Sequence, residues 1–349
     1  MTPSLQSFLY SILKAQSPSG SEEAVVSSFS KFISPFVSEI RKDVLGNCIA
    51  IKKGQGKHKI MLMAHADEVG LIINYIDNNG FLYFKCIGGV DCGILPSHKV
   101  SILGKDGSIT GVIGKKPVHL QSGDYSGKNV QSEDLWIDIG AMSKEEAESI
   151  VHIGDVVTLQ SNPILMRNDL LVAKSIDDRI GIAILAGVAE MINKESLDVD
   201  VYYVASTQEE IGARGARAAT MSVLPDVGIA IDVTHATDYP TMSPIKDGDI
   251  FLGGGVVIPI GPNMHKCINS ALIAAAQKDC IKFQSQAIAG PTETDARMIQ
   301  VVGSGVATGL LCIPCRYVHT PNEVISVRDV DATIVLLVEY LKSFSATFI

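Results

Sequence analysis

Two histidines and several acids stand where apolar runs end. His65-Ala-Asp67-Glu68 follows Lys59–Ala64, and Asp177-Asp178 opens a helix-like stretch. Glu209-Glu210 follows Val201–Ala205, Asp232 closes Gly228–Ile231, and His319 comes soon after Val306–Ile313. Catalytic groups of open α/β sheets collect outside the carboxyl ends of parallel strands, so five such clusters can share one cleft although they are far apart in the chain. The set contains imidazoles and carboxylates and no thiol. Nitrogen and oxygen ligands suit zinc, cobalt or manganese, and an excess of carboxylates suits two ions bridged by one acid.

The spacing has its own logic. A ligating imidazole usually donates its other N–H to a carboxylate, and Asp67, two residues after His65, is placed for that task. Neighbouring Glu209 and Glu210 point different ways, so one can bind metal while the other serves as a general base. Each element also has a plainer reading. Asp177-Asp178 could cap a helix, Glu209-Glu210 could form an acidic first turn, and Asp232 could cap the turn 233–236.

The elements that must position these groups follow from periodicity and turn signals. Residues 2–36 read as helix, Ser/Gly break and helix, and strands are expected at 37–40, 47–52 and 59–64. Between about Gly70 and Leu165, short β-like runs alternate with turns such as Asp77-Asn-Asn-Gly80, and one short helix starts at Ser143-Lys-Glu-Glu. That texture predicts a small β-barrel-like insertion. After Ser175, strands and helices alternate: helix 178–193, strand 200–205, helix 211–221, strand 228–232, helix 262–278, strand 282–288, helix 295–300, strand 306–313 and helix 326–344. The fold class is therefore α/β, a mixed sheet covered by helices on both faces. Residues 1–69 and 166–349 form its catalytic part, and 70–165 the insertion.

Composition narrows the function. The chain has 349 residues, 46% hydrophobic, with 29 Lys plus Arg against 38 Asp plus Glu and a formal charge of −9. A large core is available, and without a basic run a nucleic-acid partner is not expected. The longest uncharged run, Met298–Cys315, contains Gln300, Ser304, Thr308 and three glycines, and reads as two buried strands joined by a turn rather than a membrane span. Seven cysteines form no paired CxxC framework, and Cys312-Ile-Pro-Cys315 reads as buried strand-end thiols. The opening Met1-Thr-Pro-Ser-Leu lacks the charged start and apolar stretch of a signal peptide, so the expected location is the cytoplasm.

Taken together, the stretches Met63–Gly70, Ser175–Gly181, Ser206–Ala216, Ala230–Ala236 and Arg316–Glu323 resemble the metal-site motifs of the tetrahedral (TET) aminopeptidase family, di-zinc metallopeptidases of clan MH, peptidase family 42. Gly111–Leu120 and Leu135–Ala141 match its insertion, apart from Pro117-Val118 where the family usually has two prolines. The resemblance implies a zinc-exopeptidase-like fold and two divalent ions per subunit, zinc or else cobalt or manganese. His65, Asp177, Glu210, Asp232 and His319 would be the ligands. Asp177 would bridge, with Glu210 and His319 on one ion and His65 and Asp232 on the other. It also implies Glu209 as general base, Asp67 as the residue orienting His65, and a cis peptide between Asp177 and Asp178.

The implied activity is removal of N-terminal residues from short peptides, by a water that two metals activate and Glu209 deprotonates. Gly254 and Asp295 are candidates for the substrate pocket, although a tight turn and a helix cap explain them equally. The resemblance further implies dimers formed through the insertion and a tetrahedral dodecamer. Two other readings use the same residues: a co-catalytic amidohydrolase or deacylase acting on acyl-amino acids, and a metal-stabilised scaffold that binds peptides. A glycosidase is disfavoured, because it needs two unligated carboxylates at a set separation.

Overall fold

The computed structural model describes residues 1–105, 107–120 and 130–344. The remainder of the expected insertion and of the C-terminal stretch lies outside the described residues. The chain builds an eight-stranded mixed sheet in the order Glu39–Lys42, Cys48–Lys52, Val199–Ser206, His58–His65, Val227–His235, Ala307–Cys315, Val256–Ile260, Phe283–Ala287. The four strands from Val199–Ser206 to Ala307–Cys315 run parallel. Parallel register sets His65 beside Ser206, and Asp232 beside Cys312.

Alternation along the central strands divides the core in two. Ile60, Leu62, Ala64, Ile229, Ile231 and Ile313 face helices Pro3–Lys14, Glu23–Ile33, Ile176–Met191, Lys266–Lys278 and Val327–Lys342. Met61, Met63, Val204, Ala230 and Leu310 face the helices Arg214–Val223 and Ala296–Gln300. Beyond Arg179, helix Ile176–Met191 is almost entirely apolar and buried, as its position between the sheet and the helices Pro3–Lys14, Glu23–Ile33 and Val327–Lys342 requires. Gly187 permits the closest approach, since a Cβ there would come within 2.8 Å of Leu5 and 2.7 Å of Ile334.

Six strands, Gly70–Ile76, Leu82–Ile87, Leu135–Asp138, Gly107–Lys115, Lys99–Gly104 and Val156–Leu159, close into a barrel with its own core of Leu71, Ile73, Ile102, Ile137 and Val157. Helix Lys144–Glu148 is capped by Ser143, whose side chain accepts the Glu146 N–H. A third sheet of Ile164–Met166, Leu170–Ala173 and Glu323–Ser326 includes the segment where the chain passes from the barrel to helix Ile176–Met191. At that junction Glu68 accepts Lys174 Nζ at 2.6 Å, Arg179 Nη2 at 2.9 Å, the Ser17 N–H at 2.9 Å, and the Ser175 hydroxyl. All four partners are buried, and within the cluster only Arg179 Nε is left as a buried donor without a partner.

Three expectations are corrected. Met298–Cys315 holds the end of helix Ala296–Gln300, a turn and one strand, not two strands. The helix after the glutamate pair begins at Arg214 rather than Ile211, because Gly212 (φ +114°) and Ala213 (φ +50°) turn the chain first. The helix expected from Pro262 begins at Lys266. No helix among the described residues is long and apolar enough to cross a membrane. Cys312 and Cys315 are buried free thiols on opposite faces of one strand.

Candidate active site

His65 ends its strand with its ring almost wholly buried. Its Nε2 lies 2.9 Å from Asp177 Oδ1, and its Nδ1 lies 3.4 Å from Asp67 Oδ1, an electrostatic contact rather than an aligned hydrogen bond. His319 approaches from the other side, with Nε2 at 3.3 Å from both Asp177 Oδ2 and Glu210 Oε2. Its Nδ1 donates to the Gly89 carbonyl at 2.9 Å, which aims Nε2 at the two acids. That carbonyl belongs to a loop leaving the barrel, so the barrel supplies part of the site. The peptide between Asp177 and Asp178 is cis.

Glu209, Glu210, Asp232, His65, Asp177 and His319 line one cavity together with Glu293 and Arg297. The structure thus gathers the residues that stand far apart in the chain. His65, Asp177 and Glu210 offer ligand atoms within 4.8 Å of one another, and so do His65, Asp178 and Asp232. Asp67 is completely buried and accepts the N–H groups of Glu209 and Glu210, besides the Ser19 hydroxyl at 2.7 Å. Glu22 holds the same turn through the Gln208 N–H.

Electrostatics show what such crowding does. Burial and the charges of Asp295, Asp232 and Glu210 push Glu209 up to about 10, outweighing nearby His65. Burial likewise raises Asp232, with Asp178 and Asp177 adding to it. His65 and His319 move the other way in charge. Burial opposes their protonation, yet Asp177 and its fellow acids outweigh it and push His319 up to about 11. Asp177 itself stays low despite burial, because both imidazoles hold it ionised. This density of buried carboxylate calls for cations or protons, and Glu210 Oε1 is a buried acceptor with no protein partner. The residues therefore fit divalent ions with nitrogen and oxygen ligands.

A family model described as M42 glutamyl aminopeptidase matches residues 46–336. The chain belongs to the M42 glutamyl aminopeptidase family. It is 38% identical over 317 residues to the lysyl aminopeptidase of Pyrococcus furiosus, covering 88% of this chain and 89% of that protein. An aminopeptidase from the archaeon Desulfurococcus kamchatkensis superposes with a TM-score of 0.92 at 34% identity, covering 99% of this chain and 96% of the other. The TET1 peptidase of Pyrococcus horikoshii, which can assemble into a tetrahedron or a large octahedral shell, gives 0.87 at 28% identity over 97% of this chain and all (100%) of that one. The M42 chain is thus a peptidase with the fold of the TET aminopeptidases.

Neither Gly254 nor Asp295, the two residues expected in the substrate pocket, lines the cavity of the acids. Gly254 backs onto Gln284 inside a turn whose Gly253 and Gly255 N–H groups donate to Asp329, both at 2.8 Å. Asp295 does stand at a helix N-cap but makes no capping bond; it is buried behind Glu209 and accepts the Ser206 hydroxyl. Sequence reasoning also missed two acids. Asp178 accepts the N–H of His65 at 3.1 Å and of Gly181 at 3.0 Å. Glu323 accepts the N–H of Asp177 at 3.1 Å and of His319 at 2.7 Å. Its place at the end of the last quoted motif was the only signal for it.

Proposed function

We propose that this protein is a metal-dependent aminopeptidase acting on short peptides, with Glu209 as its general base. The observation that carries this reading is the pairing of two neighbouring glutamates with different surroundings. Glu210 meets His319, whereas Glu209 makes no ion pair among the described residues and faces the shared cavity. His65, Asp177 and Asp232 would hold one divalent ion, and Asp177, Glu210 and His319 a second. Bound ions would supply Lewis acidity, acidifying water and polarising a carbonyl. Glu209 takes a proton from the attacking water and returns it to the departing amine. Asp67 orients His65 and holds the turn that carries both glutamates. Gly89 and Glu323 fix the ring and backbone of His319.

The TET1 peptidase's shells support a further reading, that copies of this chain associate through the barrel into dimers and a dodecamer. A dodecamer enclosing the sites would admit short, unfolded peptides and exclude folded ones. The decisive variant is Glu209→Gln. It is expected to keep its metal content and its melting temperature while losing hydrolysis of aminoacyl-anilides by about a hundred- to ten-thousandfold, the usual contribution of a general base. Unchanged turnover would remove Glu209 from the mechanism.

A further inference from the structure

We propose that the recess beyond Asp232 receives the side chain of the substrate's N-terminal residue and selects an uncharged, apolar one. The inference rests on the aminopeptidase reading and adds the class of substrate. Two recesses flank the acid cluster. The first, on the Glu210 and Glu323 side, backs onto the Lys174–Glu68 ion pair and encloses about 30 Å³, room for a water or two. The second, on the Asp232 side, holds about 400 Å³. Only the second has space for an amino-acid side chain. Asp177, Asp232 and His319 line both this recess and the catalytic cavity, so a residue attacked there can turn its side chain into it.

The lining decides what fits. Val233, Ile288, Leu310, Cys312 and Val318 supply apolar walls. Its hydroxyls are already engaged: Thr234 donates to Gln286 at 2.9 Å, and Thr292 donates to Asn263 at 2.6 Å and meets Thr294 at 2.9 Å. At the mouth, Glu293 is exposed to water and paired with Arg297 at 3.1 Å, and His235 is an exposed ring. Of the acids in the lining, Asp177 and Asp232 are proposed metal ligands, and the one other, Glu293, is exposed and paired with Arg297. A lysine or glutamate side chain entering the recess would thus shed water against aliphatic walls, which is unfavourable. A leucine or methionine gains instead, by roughly fourfold in binding for each methylene buried. The lysyl and glutamyl preferences of the relatives do not carry over to this recess.

The test compares kcat/KM of the metal-loaded protein for leucyl-, methionyl-, alanyl-, lysyl- and glutamyl-4-nitroanilide. Leucyl or methionyl substrate is expected to exceed both charged ones by about tenfold or more, with alanyl below leucyl. Ile288→Glu is expected to cut leucyl turnover by about tenfold and raise the lysyl-to-leucyl ratio, with metal content unchanged. A wild-type preference for lysyl or glutamyl substrate overturns the inference, whether or not the variant folds. Hydrolysis of none of the five substrates would bring down the aminopeptidase reading and this inference with it.

Discussion

Asp67 accepts the backbone N–H of Glu209 at 3.0 Å and that of Glu210 at 3.1 Å while standing 3.4 Å from Nδ1 of His65. One buried carboxylate therefore ties the strand bearing a proposed metal ligand to the turn bearing both the proposed base and another ligand. Burial would raise its pKa, but His65, Ser19 and the Glu209 N–H hold it low, so it stays an acceptor for all of them.

Asp67→Asn replaces one acceptor oxygen by an N–H₂ that must face a backbone N–H or the imidazole. Activity and metal affinity are expected to fall by about ten- to a hundredfold, the usual cost of removing a carboxylate that supports a ligand. Steady-state kinetics alongside metal titration by competition with a chromophoric chelator would check this. A variant with parental affinity and turnover would show that the clamp does nothing for the site.

Glu323 joins two proposed ligands from behind, since its two oxygens accept the N–H groups of Asp177 and His319. Glu323→Gln leaves one of those buried donors facing an N–H₂ group. The expected cost is about 1–3 kcal/mol of stability, the penalty for a buried unpaired group, with a fall in metal affinity. Urea unfolding of metal-free and loaded protein separates the two effects. An equal loss in the metal-free and loaded forms, with unchanged affinity, would make Glu323 a stability residue only.

The metal-free protein should lose stability as pH rises. Glu209, Glu210, Asp178 and Asp232 are raised, mainly by burial, and His65 and His319 are raised by their acids. The folded state thus keeps protons that the unfolded chain has released above about pH 4 for acids and about pH 6.5 for histidines. Folding binds extra protons, so stability falls from about pH 4.5, where the raised acids begin to release protons in the unfolded chain, towards about 10. The histidines add to the fall above about pH 6.5. Asp67 and Asp177 are lowered, and their stabilising contribution, already complete above about pH 4, stays flat across that window. Divalent ions displace these protons, so the gap in melting temperature between loaded and chelated protein should widen with pH. A constant or narrowing gap would contradict the assignment.

Much of this could be read from residues next to one another. His65 and Glu209-Glu210 sit at or just after strand ends, whereas Asp232 lies inside Val227–His235, which runs past the expected end at Ile231; apolar period alone locates those strands. The Ser143 cap and the long last helix are similarly local. What escaped was long-range or decided by backbone. Asp178 and Glu323 act by accepting N–H groups 113 and 146 positions away, and no pattern of side-chain types announces such a bond. Gly253–Gly255 resembles a substrate loop in composition, but positive φ at both outer glycines and the carboxylate of Asp329 make it a turn. The start of the helix at Arg214 depends on Gly212 and Ala213 leaving helical φ, which apolar spacing does not register.

The central claim is that these acids and imidazoles hold two divalent ions on which hydrolysis depends. The direct measurement is ions bound per chain, by elemental analysis after exhaustive chelation and stepwise return of zinc, cobalt or manganese, with leucyl-anilide turnover followed at each step. The account predicts saturation at two ions per chain and activity that vanishes on chelation and returns with loading. A chain that binds no divalent ion tightly, or that cleaves the substrate equally well after chelation, would contradict it.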